Sequence, residues 1–186
     1  MPKGIYSRKT KEGKYGVGTL HLCAGREIII LEKLPREFGK QPRAVIRFTK
    51  TGYVANVQLS NIPTGKVKDR REPSVYGVGY IGSDISIPSR YTSEVRRTYD
   101  LWANMLKRCY HTMEGGTVDP RWHNFTTFLN TISDVAGYSS WLKDPTMHLD
   151  KDTLVPGNKL YSRDTCAFIS AFENVRDSAQ RRWGKK

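Results

Sequence analysis

The sequence predicts an α+β chain: a small antiparallel β-sheet module, a Gly/Pro-rich connector, and a helical module that ends in a β-hairpin and a helix. Three observations predict it. Short apolar runs separated by turn residues fill positions 15–60, with side chains alternating at period two. Pro63, Gly65, Pro73, Gly77, Gly79, Gly82 and Pro88 then argue against long regular elements. From Val95 onward, apolar residues recur at three- and four-residue spacing instead. The boundaries follow as a basic arm over 1–14, a β-rich module over 15–72, a connector over 73–92 and a helical module over 93–186.

The strands come first. Leu20–Leu22, Arg26–Glu32, Arg43–Phe48 and Tyr53–Leu59 read as strands. In the last, Tyr53, Ala55, Val57 and Leu59 face one way, and Val54, Asn56 and Gln58 the other. Thr51-Gly52 supplies a turn before it. A three- or four-stranded sheet is marginal in water unless something covers its apolar face.

Gly77-Val78-Gly79-Tyr80-Ile81-Gly82 matches GxGxxG but does not predict a dinucleotide fold. No buried apolar strand leads into it, and the Pro88-terminated segment after it cannot open a long helix.

A helix is predicted through Val95, Tyr99, Trp102, Met105, Leu106, Cys109 and Tyr110, capped by Thr92 or Ser93. Its other face carries Arg96, Arg97, Lys107 and Arg108. The aromatic stripe reads as core in preference to a base-stacking platform. A second helix from Asn124 carries Phe125, Phe128, Leu129, Ile132 and Val135, with Gly137 as its stop. Thr146–Asp150 reads as a strand, Val155–Asn158 as a turn and Cys166–Ile169 as the return strand. Ser170-Ala171-Phe172-Glu173 is a capping box, and Phe172, Val175, Ala179 and Trp183 give the following helix an apolar stripe.

Charge narrows the partner. The net charge of +13 over 186 residues is uneven. Residues 1–72 hold 16 Lys+Arg against 6 Asp+Glu, and residues 73–186 hold 15 against 12. A basic half beside a nearly balanced one suggests a polyanion-binding module joined to a module with acidic work of its own. DNA is the expected partner. Lys50, Lys66, Lys68, Arg70, Arg71, Arg96, Arg97 and Lys159 are the candidate nucleic-acid contacts. The 66–71 cluster reads equally as a solvated loop or as a phosphate-contacting segment.

No apolar run approaches the ~18 residues of a membrane span, and no signal-peptide core follows Met1. Cys23, Cys109 and Cys166 are widely spaced with no CxxC pair, so no thiolate zinc is expected. A reduced, cytoplasmic, soluble protein is expected.

The late hairpin carries the chemistry. Extension past Asp150 would put His148, Asp150 and Asp152 on one face, and Asn174 falls in the first turn of the last helix. One carboxylate and one amide oxygen are enough to anchor Mg²⁺ or Mn²⁺, hard cations that keep several waters. For Asp150, Asp152 and Asn158 the competing reading is turn chemistry, because Asp and Asn bond their own backbones in loops.

Residues from about Val75 to Asn174 resemble HNH-type (ββα-metal) endonuclease-like proteins frequent in bacteriophage genomes. The carrying residues are Gly77-x-Gly79, the Tyr99-x-x-Trp102-x-x-Met105-x-x-Arg108-Cys109-Tyr110 helix and Trp122-x-x-Phe125-x-x-Phe128. With them go Leu149-Asp150-Lys151-Asp152, Gly157-Asn158-Lys159-x-Tyr161-Ser162, Cys166-x-Phe168-Ile169 and Asn174. The basic half resembles the small sheet-and-helix DNA-binding modules fused to such nucleases. By position, the resemblance implies Asp150 as first metal ligand and Asn174 as last. Lys151 stands where the family has its His base, and Thr165 where an Asn usually orients that His. The motif is therefore degenerate. Lys151 is a base only with a strongly lowered pKa, and could otherwise hold a phosphate; His148 and His123 are substitute bases. Two functions are expected from this: a metal-dependent DNA endonuclease or nickase, or a catalytically silent nuclease scaffold that binds DNA, RNA or a host protein in host takeover or counter-defence. For a phage-encoded chain the compartment would be the host cytoplasm.

Overall fold

The computed structural model describes residues 13–83, 85–89, 93–112 and 115–176. Most of the basic arm, Thr92, Ala179 and Trp183 lie outside the described residues. The chain is mixed α+β and divides into two compact units, 1–72 and 73–186.

Unit 1 is a four-stranded antiparallel meander: β1 (Leu20–Cys23), β2 (Arg26–Lys33), β3 (Arg43–Phe48) and β4 (Val54–Gln58), paired in that order. Period-two alternation buries Ile28 and Ile30 of β2 and Ala44, Ile46 and Phe48 of β3 on one face. That face is covered by the chain's own next segment. Ile62 and Val67 are buried against it, in a stretch whose Gly and Pro content suggests a linker. The cover explains how so small a sheet keeps a dry core. Arg26 pins the end of the segment by a 2.5 Å ion pair to Glu72.

Unit 2 is built on α1 (Glu94–Tyr110). Trp102, Met105 and Leu106 are fully buried, so the aromatic stripe is core. Ser93 occupies the N-cap position without a side-chain hydrogen bond. The described residues of the 73–92 segment do not span open solvent: Val75, Val78, Ile81, Ile85 and Ile87 pack on this core. Gly79 explains the glycine motif. A Cβ there would stand 2.5 Å from Leu106 Cδ1, so only glycine lets the Val75–Gly79 turn lie on α1.

The second helix is shorter than its periodicity suggests. A single 3₁₀ turn, Pro120–His123, precedes α2 (Phe125–Thr131), and a second, Ile132–Asp134, follows it. Gly137 does not stop α2. It takes φ +82° and opens α3 (Tyr138–Lys143), with Phe168 O only 2.6 Å from where a Cβ would sit.

Two short strand pairs close the unit. β5 (Thr117–Val118) runs parallel to β7 (Leu160–Tyr161), a pairing that local pattern could not show. β6 (His148–Asp150) runs antiparallel to β8 (Ala167–Ile169). Helical residues 171–176, α4, follow β8 at once. The capping box forms in full: Glu173 Oε2 accepts the Ser170 N–H at 2.9 Å, and Ser170 Oγ accepts the Glu173 N–H at 3.2 Å. The expected apolar stripe of α4 is not buried among the described residues, since Phe172 is 75% and Val175 68% exposed. No helix among the described residues is long and apolar enough to cross a membrane.

Candidate functional site

The late hairpin and its helix give a strand–strand–helix order. Leu149 is buried in the core, so alternation puts His148 and Asp150 on the other face of β6. His148 is exposed and Asp150 half-buried. Asp150 lies opposite Ala167, and His148 opposite Ile169, two residues before α4 begins. Asn174 sits one turn into α4, its N–H donating to Ser170 O at 3.0 Å. Asn174 is half-buried while Phe172, Glu173, Val175 and Arg176 are exposed, so it marks the inner side of that helix.

Extension stops at Asp150. Residues 151–155 bend away, so Asp152 does not continue the face of His148 and Asp150. The cause is Asp150 itself. Its Oδ2 accepts the N–H of Asp152 at 3.1 Å, the N–H of Thr153 at 2.7 Å and Thr153 Oγ1 at 2.6 Å. Its other oxygen, Oδ1, accepts no hydrogen bond among the described residues. One oxygen thus folds the loop and the other has no hydrogen-bond donor among the described residues. Asn158 works wholly for the loop: its Nδ2 donates to Lys151 O and Leu160 O, and its Oδ1 accepts the Leu160 N–H. Thr165 likewise ties the return, its Oγ1 donating to Leu160 O at 2.7 Å.

Lys151 points to a different neighbour. Its Nζ lies 5.4 Å from the centroid of the Tyr161 ring, and Arg108 reaches the same ring at 5.7 Å. Tyr161 is 8% exposed, and burial raises its pKa against the opposing pull of Arg108. Arg108 Nε is shielded from solvent with no acceptor. Both Asp150 and Lys151 act on the buried Cys166 thiol. Burial chiefly pushes that thiol up to about 12; Asp150 adds to the shift, while hydrogen bonds from Ser162 and Thr165, and the charge of Lys151, oppose it.

His123 is placed elsewhere. It ends the 3₁₀ turn before α2, and its Nε2 shares a 2.9 Å hydrogen bond with Tyr110 Oη. Burial lowers its pKa, with Asp119 opposing. Tyr110 in turn accepts the Val118 N–H at 3.2 Å. No hydrogen bond joins His123 to the hairpin among the described residues.

The basic candidates fall into two groups. In unit 1, Lys50 is exposed in the turn after β3, and Lys66 and Lys68 project on either side of buried Val67. Asp69 fixes this segment, accepting the Arg71 N–H at 2.9 Å and Thr51 Oγ1 at 2.7 Å. The segment is therefore an ordered basic edge, with Arg71 exposed and Arg70 half-buried. In unit 2, Lys159 is exposed, but the α1 arginines are engaged in the fold. Arg97 donates to Trp141 O and Leu142 O and lies 4.8 Å over the Trp141 ring, while Arg96 pairs with Asp100.

Among the described residues, no three His, Cys, Asp or Glu side chains gather as a metal cage. Asp150 on the hairpin and Asn174 on α4 are of another kind, a carboxylate and an amide, the oxygen donors that suit a hard and largely hydrated cation. The neighbourhood of Arg108 and Tyr161 was the part sequence reasoning missed. Its only signal was the Arg108-Cys109-Tyr110 run, since nothing local places position 108 beside position 161. Comparisons with models of known protein families, with curated proteins and with solved structures each found no match.

Proposed function

We propose that this chain is a DNA-binding protein of HNH-like type that hydrolyses phosphodiesters with a divalent cation. The observation that carries the reading is the pairing of β6 with β8 and the immediate start of α4, with Asp150 on the open face of the hairpin and one carboxylate oxygen uncommitted. Asp150 Oδ1 and the Asn174 amide would hold Mg²⁺ or Mn²⁺. Such an ion supplies charge for the developing phosphorane and the leaving oxygen. The loop anchored by Asp150 Oδ2 keeps the carboxylate oriented, so little ordering remains when a ligand arrives. His148, exposed on the same face, is the group that would take a proton from water. His123 is tied to Tyr110 and serves the fold in this reading.

The basic edge of unit 1 supplies DNA affinity. Lys50, Lys66, Lys68 and Arg71 are exposed, and their contacts with phosphates are independent of base sequence. A soluble, cytoplasmic protein is the setting this reading requires.

The deciding experiment is nicking of supercoiled plasmid with Mg²⁺ or Mn²⁺. The wild-type chain nicks, and Asp150→Asn, which can still accept the loop hydrogen bonds, does not. No cleavage of DNA or RNA with either metal sinks the hydrolytic reading. A second reading, DNA, RNA or host-protein binding without cleavage, is favoured by one observation: Lys151, at the position of the family's base, lies over Tyr161. Retention of duplex DNA by a chain that never nicks would select it, and a protein partner captured after nuclease treatment would turn it toward host proteins.

A further inference from the structure

Two cations meet the Tyr161 ring, and among the described residues neither has a carboxylate partner. Arg108 comes from the last turn of α1, Lys151 from the residue after β6, and Tyr161 from β7. Among the described residues Arg108 forms no ion pair. The only hydrogen bond of its side chain among the described residues is a long one, 3.5 Å from Nη2 to Tyr161 Oη. Its Nε–H is out of reach of water and has no acceptor. The Lys151 ammonium makes no hydrogen bond and no ion pair among the described residues; its contact is the Tyr161 ring. The Tyr161 hydroxyl accepts from Arg108 and, among the described residues, has no acceptor for its own proton. Asp150 and Asp152 flank Lys151 in sequence, neither is ion-paired to it, and Asp150 Oδ2 is committed to the loop.

This is an unusual arrangement for a core edge. The buried Nε–H stays unpaired, which is uncommon in a folded chain; the half-buried Arg108 and Lys151 side chains present their Nη and Nζ groups as the donors left for a ligand. Like charges placed together repel, and the ring face offsets only part of that. An anion with several acceptor oxygens would answer all three groups at once: guanidinium, ammonium and phenol. Tetrahedral phosphate has the right charge and acceptor count, and arginine is the side chain best suited to it.

We propose that Arg108, Lys151 and the Tyr161 hydroxyl form a seat for a phosphate oxyanion beside the β6–β8 hairpin. Its natural source is the nucleic-acid backbone, and for that source alone the inference rests on the DNA-binding reading above. Lys151 then acts as a phosphate clamp adjoining Asp150, which gives the substitution of the family's His a positive role. The seat holds the backbone against the hairpin whether or not a bond is subsequently cut.

The test uses the full chain without divalent metal, so that cleavage plays no part. Binding of a labelled duplex is followed by fluorescence anisotropy over a series of potassium chloride concentrations. Lys151→Met and Arg108→Met should each weaken low-salt binding about tenfold and reduce the slope of log affinity against log salt by about one. Lys151→Met should lower the slope equally in an Asp150→Asn background that does not nick, which separates this proposal from the hydrolytic one. In a second arm, inorganic phosphate replaces chloride at constant ionic strength. A free-phosphate source would raise the thermal midpoint of the wild type more than that of Lys151→Met, with no change in the duplex slope. Arg108→Met removes a half-buried side chain and could unfold unit 2. Lys151→Met replaces a loop side chain and remains decisive. A folded Lys151→Met chain with wild-type salt slope and wild-type phosphate response overturns the seat.

Discussion

Asp150 and Thr153 are joined twice through a single carboxylate oxygen. Oδ2 accepts the Thr153 N–H at 2.7 Å and the Thr153 hydroxyl at 2.6 Å. The residue proposed as the cation ligand is thus also the residue that ends the strand. Its two oxygens divide the work.

That division can be separated by mutation. Thr153→Ala removes the hydroxyl bond and should cost about 1 kcal/mol of unit 2 stability, with plasmid nicking retained. Asp150→Ala removes the anchor and the open oxygen together. It should destabilise by roughly 1–3 kcal/mol and abolish nicking. Denaturant midpoints and plasmid assays on the same preparations read both effects. Equal loss of nicking in both variants would show that loop order, and not an oxygen ligand, is what matters.

Gly79→Ala should destabilise unit 2 by about 1–3 kcal/mol, because the new methyl meets Leu106 Cδ1 at 2.5 Å and the Trp102 ring at 2.9 Å. All four tryptophans lie beyond residue 100, so tryptophan fluorescence during urea unfolding reports this unit. Gly77→Ala is a useful contrast. Its Cβ meets nothing within 4 Å, but its φ of +77° still imposes strain. A larger cost at Gly77 than at Gly79 would mean that backbone conformation, not packing, sets the requirement.

His123 gives unit 2 a pH dependence of known sign. Burial lowers its pKa in the folded state below the unfolded value of about 6.5. The unfolded chain therefore binds the proton more readily, and stability falls as pH drops through about 6.5 towards the lowered folded value. Above that window the contribution is fully present. Urea midpoints at neutral and mildly acid pH should diverge less for His123→Gln than for the wild type. An identical pH response would show that His123 is solvated alike in both states.

Cys23, Cys109 and Cys166 are all buried. Burial also holds the Cys166 thiol up to about 12. Reaction needs the thiolate, so a disulfide reagent at mildly alkaline pH should label none of the three quickly in the native chain and all three in urea. Rapid native labelling of one thiol would mark a local opening near it.

Some of this molecule is written locally. The strands of unit 1 alternate at period two, and Ile28, Ile30, Ala44 and Ile46 fall on the buried face as that pattern requires. The capping box at Ser170 and Glu173 is legible because both partners lie within one helical turn. Other features were hidden. Gly137 reads as a helix stop, yet it opens α3, because a glycine at positive φ serves either end and the choice depends on Phe168 packed against it. Asp150 alternates correctly with His148, but nothing in the spacing shows that Thr153 would capture one of its oxygens and end the strand.

The sequence by itself determined the α+β class, the basic character of the first unit, and the order strand, strand, helix at the end of the second. These depend on periodicity, charge and capping, which act over a few residues. Tertiary structure alone decided that Ile62 and Val67 cover the sheet, that Thr117–Val118 pairs with Leu160–Tyr161, and that Arg108 meets Lys151 across one tyrosine ring. Such contacts are chosen by the packing of the whole core around Trp102 and Phe125, where burial of apolar area outweighs local preference.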